Sequence, residues 1–195
     1  MKKNLLISVL MTVVTTVLLG LVYPLTVTGI AQLVFRDKAN GQLISKDGTV
    51  IGSKIIAQPF TGAAYFHPRE SAAGNGYDAT NSGGTNFGPT NQKLIDRVKQ
   101  DTAAAAMENP GRPVPVDMVT TSASGLDPHI TPANAEFQLE RVARERNVSA
   151  EDLRKVVAKH TEGRQLGFLG EPRVNVLELN LELDREYPLQ KRASR

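Results

Sequence analysis

From Asn4 to Phe35 the chain carries no charged side chain, and Leu5 to Leu25 forms a nearly unbroken apolar run. A bilayer core is crossed by about 20 predominantly apolar residues in helical form. The pattern therefore predicts an N-terminal membrane anchor over residues 1–35, spanning at about 5–28. A cleavable secretory signal has an apolar core of about 7–15 residues followed closely by a small-x-small site. Here the core is longer, and Gly29-Ile30-Ala31 lies well beyond it, so the expectation is a retained helix. Pro24 is expected to kink or end that helix near the far interface, with Tyr23 as an interfacial anchor. Ser8, Thr12, Thr16 and Gly20 recur every four residues on one face. Small residues at this spacing permit close helix–helix approach. Two readings of the stripe stand level: a membrane-helix interface, or small polar residues tolerated in a solitary anchor.

After residue 35 the periodicity shortens and mixes. Leu43–Ser45 and Thr49–Ile51 flank Asp47-Gly48, which predicts a hairpin because Asp-Gly supplies the positive φ of a tight turn. Lys54–Ala57 is read as a further strand. Residues 62–91 are rich in Gly, Asn, Ser and Thr and predict a long irregular segment, a type that is more often functional than merely connecting. A helix is expected from Thr90 or Asn91, with Leu94, Ile95, Val98 and Ala105 on one face, stopping before Asn109-Pro110-Gly111. Val116–Thr120 alternates like a strand. Thr131 as N-cap with Pro132 at the first helical position opens another helix, carrying Ala135, Leu139 and Val142 and closing at Asn147. Ser149 and Asp152 form the carboxylate variant of a capping box for a short helix burying Leu153, Val156 and Val157. Residues 174–184 alternate like a strand, while their Leu and Glu content and Pro172 favour a helix, and both remain open. The basic tail Lys191–Arg195 is read as frayed. The fold class is α+β: a single N-terminal transmembrane helix followed by one mixed α/β soluble domain over 36–195.

Charge narrows the partners. All 20 acidic side chains and all but two of the 23 basic ones follow the apolar run, so the soluble part is nearly neutral and the chain totals only +3. A nucleic-acid binder needs a concentrated basic surplus, so nucleic acid is not expected. With no cysteine, disulfides, thiolate metal sites and Cys nucleophiles are excluded. His67, His129 and His160 share no metal-ligand spacing, and His160 is expected to interact with a helix C-terminus. No phosphate-cradling G-x-x-x-x-G-K-[ST] and no nucleophile elbow occur. Ser122, Ser124, Asp127 and His129 contain the residue types of a hydrolase triad, but triads assemble in space, and a turn leading into the capped helix is the better reading. Ser82-Gly83-Gly84 is the candidate nucleotide or anion loop, since adjacent glycines can present backbone N–H groups in a concave nest. A turn-rich surface loop is the plainer alternative.

Several segments together resemble one family. They are Tyr65-Phe66 with Arg69 and Ser71; Ser82-Gly83-Gly84-Thr85-Asn86 with Gly88-Pro89; Val119-Thr120 with Ser124-Gly125-Leu126-Asp127; Arg141-Val142-Ala143; and the run from Gly170 to Asn180. In order, spacing and length the chain is similar to the C subunit of the Kdp-type potassium-transporting ATPase. That resemblance implies an accessory, non-catalytic subunit of an ATP-driven potassium importer. Its implied partners are a potassium-translocating A subunit, an ATP-hydrolysing B subunit and a very small membrane peptide, besides membrane lipid. It also implies a catalytic chaperone that raises the ATP affinity of the B subunit. No cofactor is expected to be tightly bound, with ATP reached through the complex. The D-K-T-G segment of a phosphorylated aspartate is absent from this chain. Ser82-Gly83-Gly84 resembles the Ser-Gly-Gly core of a transporter signature loop, but Thr85 stands where that loop would have glutamine.

Lys2, Lys3 and the free amine favour a cytoplasmic N-terminus, which places the domain outside a bacterial inner membrane. An outer domain cannot reach cytoplasmic ATP. Any effect on ATP affinity then has to cross the membrane by conformational coupling. The competing classes are an anchored extracytoplasmic hydrolase using Ser124 or His129, and a pilin-like structural protein.

Overall fold

The computed structural model describes residues 1–189; the tail Lys191–Arg195 lies outside them. The chain divides into two compact units, Met1–Ile51 and the remainder from Gly52 onward.

In the first unit, α1 (Lys2–Val17), a π-helical turn (Leu18–Val22) and α2 (Tyr23–Val34) run on as one 33-residue helix. At about 1.5 Å per residue it is about 50 Å long, more than the roughly 30 Å of a hydrocarbon core. Pro24 neither ends this helix nor stands in its interior as an ordinary residue. Proline has no N–H to offer the carbonyl four residues back. The preceding turn is wound wider, and the Tyr23 N–H reaches the Leu18 carbonyl across five residues. The helix stops at Phe35, which leaves helical geometry at φ −130° and ψ 40°. One short turn follows, α3 (Arg36–Ala39). The amides of Gln32 and Asn40 bond reciprocally at 3.1 and 3.3 Å, fastening α3 to α2. β1 (Leu43–Lys46) and β2 (Thr49–Ser53) form the expected hairpin, with Asp47 at φ 51° and Gly48 at φ 79°.

In the second unit Lys54–Ala57 makes a turn rather than a strand. The Ile56 N–H returns to Ser53, and the Ala57 N–H is taken by the Leu126 carbonyl. No helix or strand is assigned from Lys54 to Asn91. α4 (Gln92–Glu108) starts at Asn91, whose side chain accepts from the Lys93 N–H. Val116–Thr120 is likewise not a strand. It forms a single helical turn, α5 (Val116–Val119), entered from Pro115. That turn lets Asp117 face the start of the next helix, where its carboxylate accepts from the Thr131 N–H, the Thr131 hydroxyl and the Asn134 amide. Capping chemistry outweighs the β preference of two valines there.

β3 (His129–Ile130), β4 (Thr161–Glu162) and β5 (Arg173–Asn175) form an antiparallel sheet in the order β3-β5-β4. His129 pairs with Asn175, and both Ile130 and Thr161 flank Val174. α6 (Pro132–Arg146) and α7 (Ala150–Lys159) carry the predicted caps at Thr131 and Ser149, and Asn147 ends α6 in the left-handed conformation. The C-terminal run is both elements in succession. β5 passes straight into α8 (Val176–Glu186), capped by the Asn175 side chain, so Pro172 precedes a strand and starts no helix. Leu139, Val142, Leu153, Val156, Val174, Leu179 and Leu183 close the core between α6, α7, α8 and the sheet, with Phe66 reaching in from the irregular segment.

Candidate functional site

The chain presents two candidate regions, one in each unit. On the membrane helix the stripe lies along a wholly exposed surface. The Ser8 hydroxyl donates to the Leu5 carbonyl and the Thr12 hydroxyl to the Ser8 carbonyl, both at 2.8 Å. Their hydrogen bonds are thus satisfied within the helix, and what they offer a neighbour is small size. Gly20 sits inside the π-turn, where an added Cβ would touch only Thr16 Cγ2 at 3.9 Å. The absence of a side chain at Gly20 therefore serves no need of the helix itself.

In the domain the irregular segment is folded back on residues 120–127. Arg69 is the hub. It donates to the carbonyls of Thr120 and Thr121 and the Thr120 hydroxyl, and pairs with Asp127 at 3.2 Å. The Ser71 hydroxyl donates to the Gly125 carbonyl and accepts from the Ala73 and Tyr77 N–H groups. The Tyr77 hydroxyl donates to the Arg69 carbonyl at 2.7 Å, and burial, with Glu70 nearby, pushes its pKa up to about 12. It remains a donor at any ordinary pH.

Ser82, Gly83 and Gly84 form one side of this arrangement. The Gly83 N–H and the Ser82 hydroxyl both donate to the Ser124 carbonyl at 2.9 Å, and Gly84 lies against the backbone of Ala123. The Gly83 amide is thus spent on the protein, and the closeness of two backbones explains why glycine stands at 84. Gly125 faces the same constraint more severely: at φ +67°, its added Cβ would come 2.6 Å from the Ala73 nitrogen and 2.7 Å from the Gly83 carbonyl oxygen.

Ser122, Ser124, Asp127 and His129 are brought together as a turn. The Gly125 N–H returns to the Ser122 carbonyl, and the Ser124 hydroxyl accepts from Leu126 N–H. Asp127 takes the His129 N–H at 3.0 Å and faces its Nδ1 at 3.3 Å. Burial by itself would raise the Asp127 carboxyl; hydrogen bonds from the His129 ring and backbone, with the Arg69 charge, outweigh it and hold the group below its ordinary range. An open depression of about 310 Å³ lies over Arg69, Asp117, Asp127 and Arg173. Asp117 there is occupied in capping α6, and Arg69 and Asp127 neutralise each other. His160 does close a helix, as the C-cap of α7.

The buried amides that hold residues 65–67 escape sequence reasoning. Asn180 of α8 exchanges two hydrogen bonds with the Phe66 backbone, and Gln138 of α6 two with His67. Arg141 adds donors to the carbonyls of Ala63 and Tyr65. The available signal is a polar residue inside an apolar helical stripe: Gln138 beside Ala135 and Val142, Asn180 between Val176 and Leu183.

The sequence profile described as "K+-transporting ATPase, c chain" matches residues 5–185. The chain is 75% identical over 189 residues to the potassium-transporting ATPase KdpC subunit of Koribacter versatilis, covering 97% of this chain and 98% of that one. It is 56% identical over 176 residues to the KdpC subunit of Rhodospirillum rubrum, covering 89% and 91%. To that of Mycobacterium tuberculosis it is 53% identical over 188 residues, covering 95% and 100%. A match that runs from the membrane helix into α8 shows that the chain belongs to the KdpC family, the C chain of the potassium-transporting ATPase.

Proposed function

We propose that this subunit is the accessory, non-catalytic member of the pump. In this reading its apolar helix packs through Ser8, Thr12, Thr16 and Gly20 among the membrane helices of the potassium-translocating A subunit, the ATP-hydrolysing B subunit and the small membrane peptide. The domain lies on the outer face of the membrane. By binding one conformational state of the pump more tightly than others, the subunit raises the ATP affinity of the B subunit. Nucleotide at Ser82–Gly84 is not required: the Gly83 N–H already has the Ser124 carbonyl as its partner, and the ATP effect runs through the helix. No cofactor of its own is needed.

The observation that carries this reading is the single family match joining an exposed apolar helix to a domain whose clustered polar side chains bond one another. The test is to purify the pump with and without this chain and measure potassium-stimulated ATP hydrolysis. Loss of the chain is expected to raise the KM for ATP severalfold at unchanged nucleotide chemistry; an unchanged KM rejects the chaperone role. A Met107→Cys variant, exposed on α4, is expected to react with a membrane-impermeant thiol reagent in intact cells. Labelling only after lysis would place the domain inside and overturn the indirect route.

A further inference from the structure

Between β4 and β5 the chain makes an arm in which residues 163–170 are all exposed. Gln165 and Leu169 bridge in antiparallel fashion, each N–H bonding the other's carbonyl at 2.9 Å. The Gly167 N–H closes on the Arg164 carbonyl. The tip is therefore ordered, and it displays Leu166 at 83%, Phe168 at 69% and Leu169 at 48% exposure. Leu166 is held at φ +54°, a left-handed conformation that a side chain with a Cβ disfavours. Among the described residues from Gly52 onward, the other large exposed apolar side chains, such as Met107 and Val116, are scattered singly along the chain.

We propose that Leu166, Phe168 and Leu169 form an anchor that inserts into an uncharged apolar recess on another subunit of the same potassium-transporting ATPase. The proposal rests on membership of that complex and deepens it by assigning the contact. Charge argues against a lipid surface as the occupant. Segments that bind anionic bilayers combine apolar side chains with surplus Lys or Arg. Here the flanking charges cancel in pairs, Arg164 with Glu171 at 2.7 Å and Arg173 with Glu162 at 2.8 Å. Area argues against a second copy of this chain. Three such side chains bury a few hundred Å², against roughly 800 Å² per partner in a stable interface. So small a contact suffices only where the partner is already held beside this chain, as another subunit of the same assembly is. Apolar anchors seated in pockets are the form that energetically dominant contacts take.

The test uses the whole pump, purified through a tag on another subunit, with a photoreactive benzophenone amino acid in place of Phe168. Irradiation is expected to yield an adduct whose mass and peptides identify another subunit of the ATPase. Adducts only with lipid, adducts only with a second copy of this chain, or no adduct would each overturn the proposal. Separately, Phe168→Ser is expected to speed dissociation of this chain from the detergent-solubilised pump about tenfold, while Met107→Ser leaves it unchanged. Equal retention of the Phe168→Ser and wild-type chains would overturn the assignment while leaving the accessory role intact. Failure of the wild-type chain to copurify would refute both.

Discussion

Asn180 satisfies both backbone groups of Phe66 from 114 positions away in the chain, its amide accepting the Phe66 N–H and donating to the Phe66 carbonyl, each at 2.9 Å. The side chain takes the part of a neighbouring β-strand for a segment that has none. Both residues are buried, so neither backbone group has water as a substitute. Replacing Asn180 by Leu removes two hydrogen bonds and strands a buried donor and acceptor. A loss of about 2–4 kcal/mol is expected in thermal denaturation of the full chain in detergent. A loss under about 1 kcal/mol would show that the segment re-bonds elsewhere.

Gly125 combines two demands that no other residue meets, a left-handed φ and backbone atoms within 3 Å of any Cβ. Gly125→Ala is expected to spring residues 71–83 away from residues 122–126. Limited proteolysis should then cut within 72–88 at protease levels that leave the wild type intact. Unchanged cleavage would mean the two backbones separate without loosening.

Acid should weaken the domain in two stages. Burial, reinforced by the Arg141 charge, lowers the His67 pKa, with the Gly62 carbonyl and Glu108 opposing. The unfolded chain therefore takes up that proton more readily. The contribution is whole above the ordinary histidine value of about 6.5 and is lost as pH falls through the lower native value. The lowered Asp127 pKa acts in the same direction, its contribution being whole above about 3.9 and lost at more acid pH. Melting temperature is expected to decline below about pH 6.5, and His67→Gln to flatten the first stage only. An equal decline in that variant would remove His67 from the account.

On the membrane helix, bulk should matter more than hydroxyls. The Thr12 hydroxyl is spent on Ser8, so Thr12→Ala is expected to leave copurification with the pump unchanged. Gly20→Leu would project a side chain into space the helix itself leaves empty, and is expected to reduce copurification severalfold. Equal behaviour of the two variants would remove the stripe from the interface.

What was legible in the chain was its local chemistry. Thr131-Pro132, Asn147, Ser149 with Asp152 and Asp47-Gly48 each act within a few residues, and each does in the fold what its type predicts. Residues 174–184 were ambiguous because α8 buries Val176, Leu177, Leu179, Asn180 and Leu183. A helix covered on most sides shows no clean 3.6-residue stripe. Val116–Thr120 misled because its conformation answers to Thr131 and Asn134, over a dozen positions later. The path of residues 63–67 depends on Gln138, Arg141 and Asn180, partners that no local pattern announces. The partner of the Gly83 amide, the Ser124 carbonyl, is likewise distant in the chain.

The π-turn at Leu18–Val22 sets orientation rather than length. One additional residue in a turn rotates everything after it by about 100° relative to an unbroken α-helix, while shifting it along the axis by only about 1.5 Å. The face that bears Ser8, Thr12 and Thr16 therefore does not run straight on past Tyr23. The helix carries two successive faces joined at a set angle, with Pro24 preventing the joint from rewinding. An insertion or deletion of one residue there would hardly change hydrophobic thickness, yet would turn one face by about 100° relative to the other.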